Sequence, residues 1–287
     1  METMAQPPLV LSLVSDLFFA VQIENAVKAL GFRVQWIEKG EALEPGMSET
    51  AVNFGRTGEP LTGRGSVFIA RVVEWQPALV IVELSSTVLP WPEWVAALKS
   101  SAATRRIPVI AFGPHTDLDL RARAIDVGCE AVVAKSRLVT ALPELIEKYA
   151  RVVDAETLAG DCAGALSALA KEGIALFNQR EYFEAHEVLE HAWNEESGPA
   201  RELYRGILQV AVAYLQIERG NYNGAMKMFF RLRQWLDPLP DECRGVNVAQ
   251  LRADALAARQ ELERLGPERI AEFNRALFKP LLMTGKS

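Results

Sequence analysis

Apolar and polar positions follow two different rhythms along this chain. Over the first 150 residues, short apolar runs are separated by stretches with helical spacing. The runs are Leu9–Val14, Arg33–Ile37, Ala78–Leu84, Ile107–Phe112 and Ala131–Ala134. Continuous apolar runs of this length suit strands covered on both faces. Between them, Phe18–Leu30, Val67–Trp75, Glu93–Ser100, Leu118–Val127 and Val139–Tyr149 carry apolar residues at helical intervals. Strand followed by helix, repeated along 1–150, predicts a five-stranded parallel sheet covered by helices. Residues 39–65 interrupt the rhythm. They are rich in Gly, Glu, Thr and Pro and read as an insertion between the second strand and its helix. Gly55, Gly58, Gly63 and Gly65 match neither phosphate-binding glycine spacing, and no strand leads into them, so a flexible loop is expected there.

From about residue 155 the strand signal stops. Helical patterns run over 162–178, 181–195, 199–219, 222–236, 247–265 and 267–277. Breaks fall at Ser197-Gly198-Pro199, Arg219-Gly220-Asn221 and Asp237-Pro238-Leu239-Pro240. Short loops between amphipathic helices predict an antiparallel all-helical bundle over 162–287, joined to residues 1–150 by a linker at 151–161 that can itself be helical.

Composition narrows the function. Nearly half of the 287 residues are apolar, enough for two ordinary cores. The net charge of −6 is spread evenly: residues 1–150 carry 14 basic and 17 acidic groups, and residues 151–287 carry 17 and 20. No basic arm or patch invites nucleic acid or an anionic membrane. The apolar run Pro8–Val14 is too short to span a bilayer and follows Glu2 rather than a basic residue, so a cytoplasmic protein is expected. Cys129, Cys162 and Cys243 are odd in number, far apart and form no CxxC pair, which argues against a disulfide scaffold or a zinc site.

Three stretches of the first half carry a further signal: Pro77-Ala78-Leu79-Val80-Ile81-Val82-Glu83, Ile107-Pro108-Val109-Ile110 and Asp126-Val127-Gly128-Cys129-Glu130-Ala131-Val132-Val133-Ala134-Lys135. In order and spacing residues 8–150 resemble a two-component receiver domain, which implies the flavodoxin-like fold. The resemblance also implies a chemistry at the strand ends: paired acids and an aspartate holding Mg²⁺, that aspartate accepting a phosphoryl group, then a hydroxyl and a lysine binding it. This chain departs from the pattern. Ser15-Asp16 supplies one acid of the pair, Glu83 stands at the phosphoacceptor position, Gly113 at the hydroxyl position and Val132 at the switch aromatic. Lys135 is kept. Glutamate's extra methylene moves the carboxylate by about a bond length, too far for chemistry tuned at the ångström level. A non-phosphorylated pseudo-receiver is therefore expected, with Glu83 and Lys135 paired. Asp16 and Glu83 are two carboxylates able to hold Mg²⁺ weakly. Phosphoryl transfer to Glu83 or Asp16 is the alternative.

The densest chemistry lies at 181–193, Glu-Tyr-Phe-Glu-Ala-His-Glu-Val-Leu-Glu-His-Ala-Trp. At roughly 100° per residue, Tyr182, Ala185, Leu189, Ala192 and Trp193 share an apolar face. His186 and Glu190 stack at its border, while Glu184, Glu187 and His191 point further out. With Arg201–Ala213 and Arg219–Ala225, this segment resembles an uncharacterised bacterial family of small helical proteins, domain-of-unknown-function family 309, over about residues 165–270. The resemblance implies a helical bundle and no established activity. Three readings of the residues stay open. His186 and Glu190 have the i,i+4 spacing of two transition-metal ligands, but the second His of HExxH is missing and zinc needs a third ligand. His186 with Glu187 or Glu190 can do acid–base chemistry in a hydrolase-like enzyme. Or Arg201, Arg205 and Gln209, at four-residue intervals on the next helix, complete a structural network in which Arg205 pairs with Glu187 or Glu190 and Gln209 satisfies His186. The same face can hold a small anionic ligand anchored by Arg205. Trp193, Phe229, Phe230 and Trp235 are expected in the core, Gly206, Gly220 and Gly224 at close contacts or caps, and Arg231, Arg233 and Arg244 on the solvated surface.

The sequence thus predicts a cytoplasmic regulatory protein without a cofactor, acting through a protein partner or self-association, for example as a homodimer.

Overall fold

The computed structural model describes residues 7–40, 43 and 64–284. Most of the predicted insertion at 39–65 lies outside them. The chain forms two compact units that divide between Val152 and Val153.

In the first unit, β1 (Leu9–Leu13), β2 (Arg33–Ile37), β3 (Leu79–Glu83), β4 (Val109–Gly113) and β5 (Ala131–Ala134) make one all-parallel sheet in the order β2-β1-β3-β4-β5. That order is the flavodoxin-like one, whose sites lie at the carboxyl ends of the strands. The central strands β1, β3 and β4 are buried throughout. The edge strands are not: β2 alternates and β5 is half-buried, because each has a single strand neighbour. Alternation sends Val10, Leu79, Ile81, Ile110 and Phe112 to one face, where they pack with Ile23 and Val27 of α1 (Leu17–Ala29) and with Leu138, Leu142 and Ile146 of α5 (Lys135–Tyr149). The remaining helices are α2 (Arg64–Trp75), α3 (Trp91–Ser100) and α4 (Leu118–Asp126). α2 and α3 meet through the stacked rings of Phe68 and Trp94, 4.6 Å apart. Ser12 is a polar residue inside the central sheet: it is fully buried and its hydroxyl has no hydrogen-bond partner.

In the second unit, α6 (Ala155–Cys162), α7 (Ala168–Asn178), α8 (Tyr182–Glu195), α9 (Glu202–Glu218), α10 (Tyr222–Leu236) and α11 (Val248–Leu265) are followed by short 3-10 turns. The expected linker 151–161 is largely α6, capped by Asp154, and the helix expected over 162–178 begins at Ala168 because Ser167 caps it. Asn221 and Asn247 start α10 and α11 in the same way. A core of aromatic rings, Phe177, Tyr182, Tyr214, Phe273 and Phe278, sits inside the unit. Gly206 lets α9 approach α10: a Cβ there would lie 2.1 Å from Leu236 Cδ2. One element breaks the all-helical pattern, a hairpin of β6 (Glu242–Cys243) and β7 (Val246–Asn247). Its two-residue turn, Arg244-Gly245, has positive φ at both positions (52° and 77°), as a two-residue hairpin loop matched to strand twist requires.

Candidate functional site

The residues that the receiver resemblance singles out meet where three strands end. Asp16 follows β1 and caps α1, its Oδ1 accepting the Phe18 N–H at 3.0 Å. Glu83 ends β3, and Lys135 opens α5 directly after β5. Glu83 is 3% exposed, and its carboxylate is fully engaged. Oε1 accepts from Lys135 Nζ at 2.9 Å and from the Ser85 hydroxyl at 3.0 Å. Oε2 accepts from the backbone N–H groups of Ser15 and Asp16, both at 3.0 Å. The Ser15 hydroxyl lies 3.1 Å from Oε2 and 2.9 Å from the Ser86 hydroxyl, so Ser86 can donate to Ser15 while Ser15 donates to Glu83. The methylene that displaces glutamate from an aspartate's place is what lets it span from β3 to the amides at the head of α1. Lys135 stands 3.9 Å from Asp16 Oδ2 and 5.2 Å from the centroid of the Phe19 ring.

Burial alone would push the Glu83 carboxyl up. Lys135, the N–H groups of Asp16 and Ser15 and the Ser85 hydroxyl outweigh it and hold the group below the ordinary glutamate value. The glutamate thus occupies, as an anion, the place where backbone amides before a helix collect negative charge. A Mg²⁺ ion held by Asp16 and Glu83 would have to take Glu83 from Lys135. At Gly113 a Cβ would stand 3.1 Å from Leu84 Cβ, so a hydroxyl-bearing residue there requires Leu84 to shift.

On α8 four of the five residues that the helical wheel puts on the apolar face, Tyr182, Ala185, Leu189 and Ala192, are buried, whereas Trp193, expected in the core, is half-buried. The polar network is not as expected. Glu187, Glu190 and His191 are exposed and His186 is half-buried, and among the described residues His186, Glu187 and Glu190 form no hydrogen bond or ion pair through their side chains. Arg205 does not pair with Glu187 or Glu190. Its guanidinium stacks over Trp193 (4.4 Å) and Trp235 (3.9 Å), with Glu202 at 3.9 Å, and Arg201 covers Trp193 at 4.3 Å. The physical reason is that a guanidinium flanked by two indoles gains stacking and burial, whereas the α8 acids keep their hydration. Gln209 is buried, and its Oε1 has no partner. No group of three or more His, Cys, Asp or Glu side chains gathers as a metal site among the described residues.

The buried polar centre lies elsewhere, and the sequence reading missed it. Arg244, expected on the surface, is 7% exposed. It donates to Glu196 Oε2 (2.6 Å), the Tyr204 hydroxyl (2.6 Å), Asp161 Oδ1 (2.7 Å) and the Asp161 carbonyl (3.3 Å). Burial opposes its charge, but Glu196, Tyr204 and Asp161 raise its pKa and keep it cationic. Asp161 Oδ2 also accepts the Ala200 N–H at 2.7 Å. Beside this cluster Cys162 and Cys243 form a disulfide, contrary to the expectation drawn from their spacing; the fold brings together residues 81 apart. The one visible signal was charge complementarity around the two thiols, Asp161-Cys162 against Cys243-Arg244. Cys129 is free and buried, and burial with Glu130 nearby pushes its thiol up to about 12.

Among the described residues no helix is long and apolar enough to cross a membrane. Solved structures similar to the first unit include a putative response regulator from Chloroflexus aurantiacus J-10-fl (12% identical, covering 50% of this chain and 97% of that one, TM-score 0.38). The chemotaxis response regulator CheY4 of Vibrio cholerae is similar at 12% identity, covering 50% of this chain and 98% of that one, with a TM-score of 0.37. A curated relative, an uncharacterized protein of Aquifex aeolicus (strain VF5), is 30% identical over 89 residues, which is 30% of this chain; the match spans 26% of that relative's length. Residues 170–228, from α7 into α10, match the family described as domain of unknown function DUF309.

Proposed function

We propose that this chain is a cytoplasmic regulatory protein in which a receiver-type unit, closed to phosphoryl transfer, is coupled to a helical unit that binds a protein partner or a second copy of the chain. The observation that carries this reading is the Glu83 carboxylate, whose two oxygens are taken by Lys135, Ser85, Ser15 and the amide of Asp16. A group so engaged is a poor nucleophile and a poor Mg²⁺ ligand. The site holds one charge state, so regulation passes through surfaces rather than through a phosphorylation cycle. Incubation with acetyl phosphate and Mg²⁺, followed by intact mass, tests it. The expected mass is unchanged; a gain of one phosphoryl group overturns the proposal.

The helical unit is proposed to work without a metal. Elemental analysis of the purified protein is expected to find no stoichiometric zinc, iron or manganese. Metal bound in the wild type and lost in His186→Ala would replace this reading with metal-assisted chemistry on α8. Light scattering then separates a homodimer from a monomer that waits for its partner.

A further inference from the structure

The second unit holds a covalent and an ionic clasp side by side, and neither belongs to the sites discussed so far as functional. Cys162 is the last residue of α6, and Cys243 lies on β6. The residues next to them are paired as well: Arg244 bonds the carboxylate of Asp161 at 2.7 Å. Arg244 also closes the end of α6, because its N–H donates to the Cys162 carbonyl (2.6 Å) and its side chain to the Asp161 carbonyl (3.3 Å). Glu196, just after α8, and Tyr204 of α9 fix the guanidinium. None of these bonds uses a sulfur atom.

α6 has eight residues, and the residues it buries are Leu158 and Cys162, so one of its two apolar anchors is the cysteine. Both cysteines are buried, Cys162 slightly less completely (6% exposed) than Cys243 (0%), so Cys162 is the side from which local opening of α6 would first admit a thiol.

We infer that Cys162–Cys243 is a reversible redox latch on α6, with the Asp161–Arg244 pair keeping the two thiols in register when the bond is open. A small thiolate such as glutathione attacks Cys162 Sγ; the sulfur–sulfur bond breaks, and Cys243 leaves as a thiolate and takes a proton. A second thiolate then attacks the glutathione sulfur of the mixed disulfide. It releases Cys162 as a thiolate, which is protonated, and departs as glutathione disulfide. The protein disulfide gains two electrons and two protons, supplied by two thiols. The oxidised state pins α6. The reduced state leaves it on ionic contacts, free to open locally.

The test uses the full chain equilibrated in glutathione buffers. Differential alkylation and mass reads the Cys162–Cys243 bond, and hydrogen exchange reads α6. In glutathione disulfide one free thiol is expected, that of Cys129. On reduction, exchange across 155–162 is expected to rise about tenfold while α9 stays protected. Asp161→Asn, which keeps the side chain's size, is expected to lower the glutathione-referenced equilibrium constant for re-forming the bond about tenfold. Three reactive thiols in glutathione disulfide, equal α6 exchange in both states, or loss of protection over the whole unit on reduction would each overturn the latch. Unchanged bond formation in Asp161→Asn would overturn the role given to the ion pair. If that variant misfolds, the exchange comparison on the wild type still decides.

Discussion

Glu83 shows how far a glutamate side chain carries its carboxylate. At the end of a central strand it is long enough to reach the amides of Ser15 and Asp16 while Lys135 holds its other oxygen. Glu83→Gln keeps the shape and removes the charge, and it is expected to cost the first unit about 2–3 kcal/mol near neutral pH, measured by urea unfolding. The folded carboxyl lies below its reference value of 4.5. Its contribution is therefore complete above that value and is lost as pH falls through the lowered folded value. The gap between wild type and Glu83→Gln should narrow across that acid range; a constant gap would mean the charge is not what stabilises. Ser12 is the converse case, a buried hydroxyl without a partner. Ser12→Ala should raise stability by about 1 kcal/mol or leave it unchanged. Arg244 was hidden for a plain reason. Its partners Tyr204, Glu196 and Asp161 lie 40, 48 and 83 residues away, and an Arg-Gly pair after a proline-rich break reads as a solvated turn.

Elements were legible wherever one periodicity ran long enough. The central strands and the helices from α7 to α11 stand close to where apolar spacing and capping residues put them. Faces were legible too, since the wheel of α8 separates its buried from its exposed residues. What a single helix cannot tell is how its neighbour is rotated, and so Arg205 was assigned to the α8 acids rather than to Trp193 and Trp235. The β6–β7 hairpin escaped because two-residue strands carry no alternation. Close helix contacts make a sharp test at this scale. At Gly173 a Cβ would stand 2.6 Å from Leu189 Cγ, a fully buried side chain. Gly173→Ala should therefore destabilise the second unit by about 1–3 kcal/mol despite alanine's better helix propensity, as read by thermal unfolding.

For the whole molecule, each unit carries its own core, and the covalent bond lies in the second alone. A reductant should thus raise hydrogen exchange over α6 and leave it unchanged in β1, β3 and β4. On the proposed reading, phosphoryl chemistry in the first unit lies several substitutions away. Shortening Glu83 to aspartate draws the carboxylate back from the amides of Ser15 and Asp16, a hydroxyl side chain at Gly113 requires Leu84 to shift, and no second acid stands beside Asp16. Two of these changes disturb contacts the fold now uses, so none of the three opens that chemistry alone.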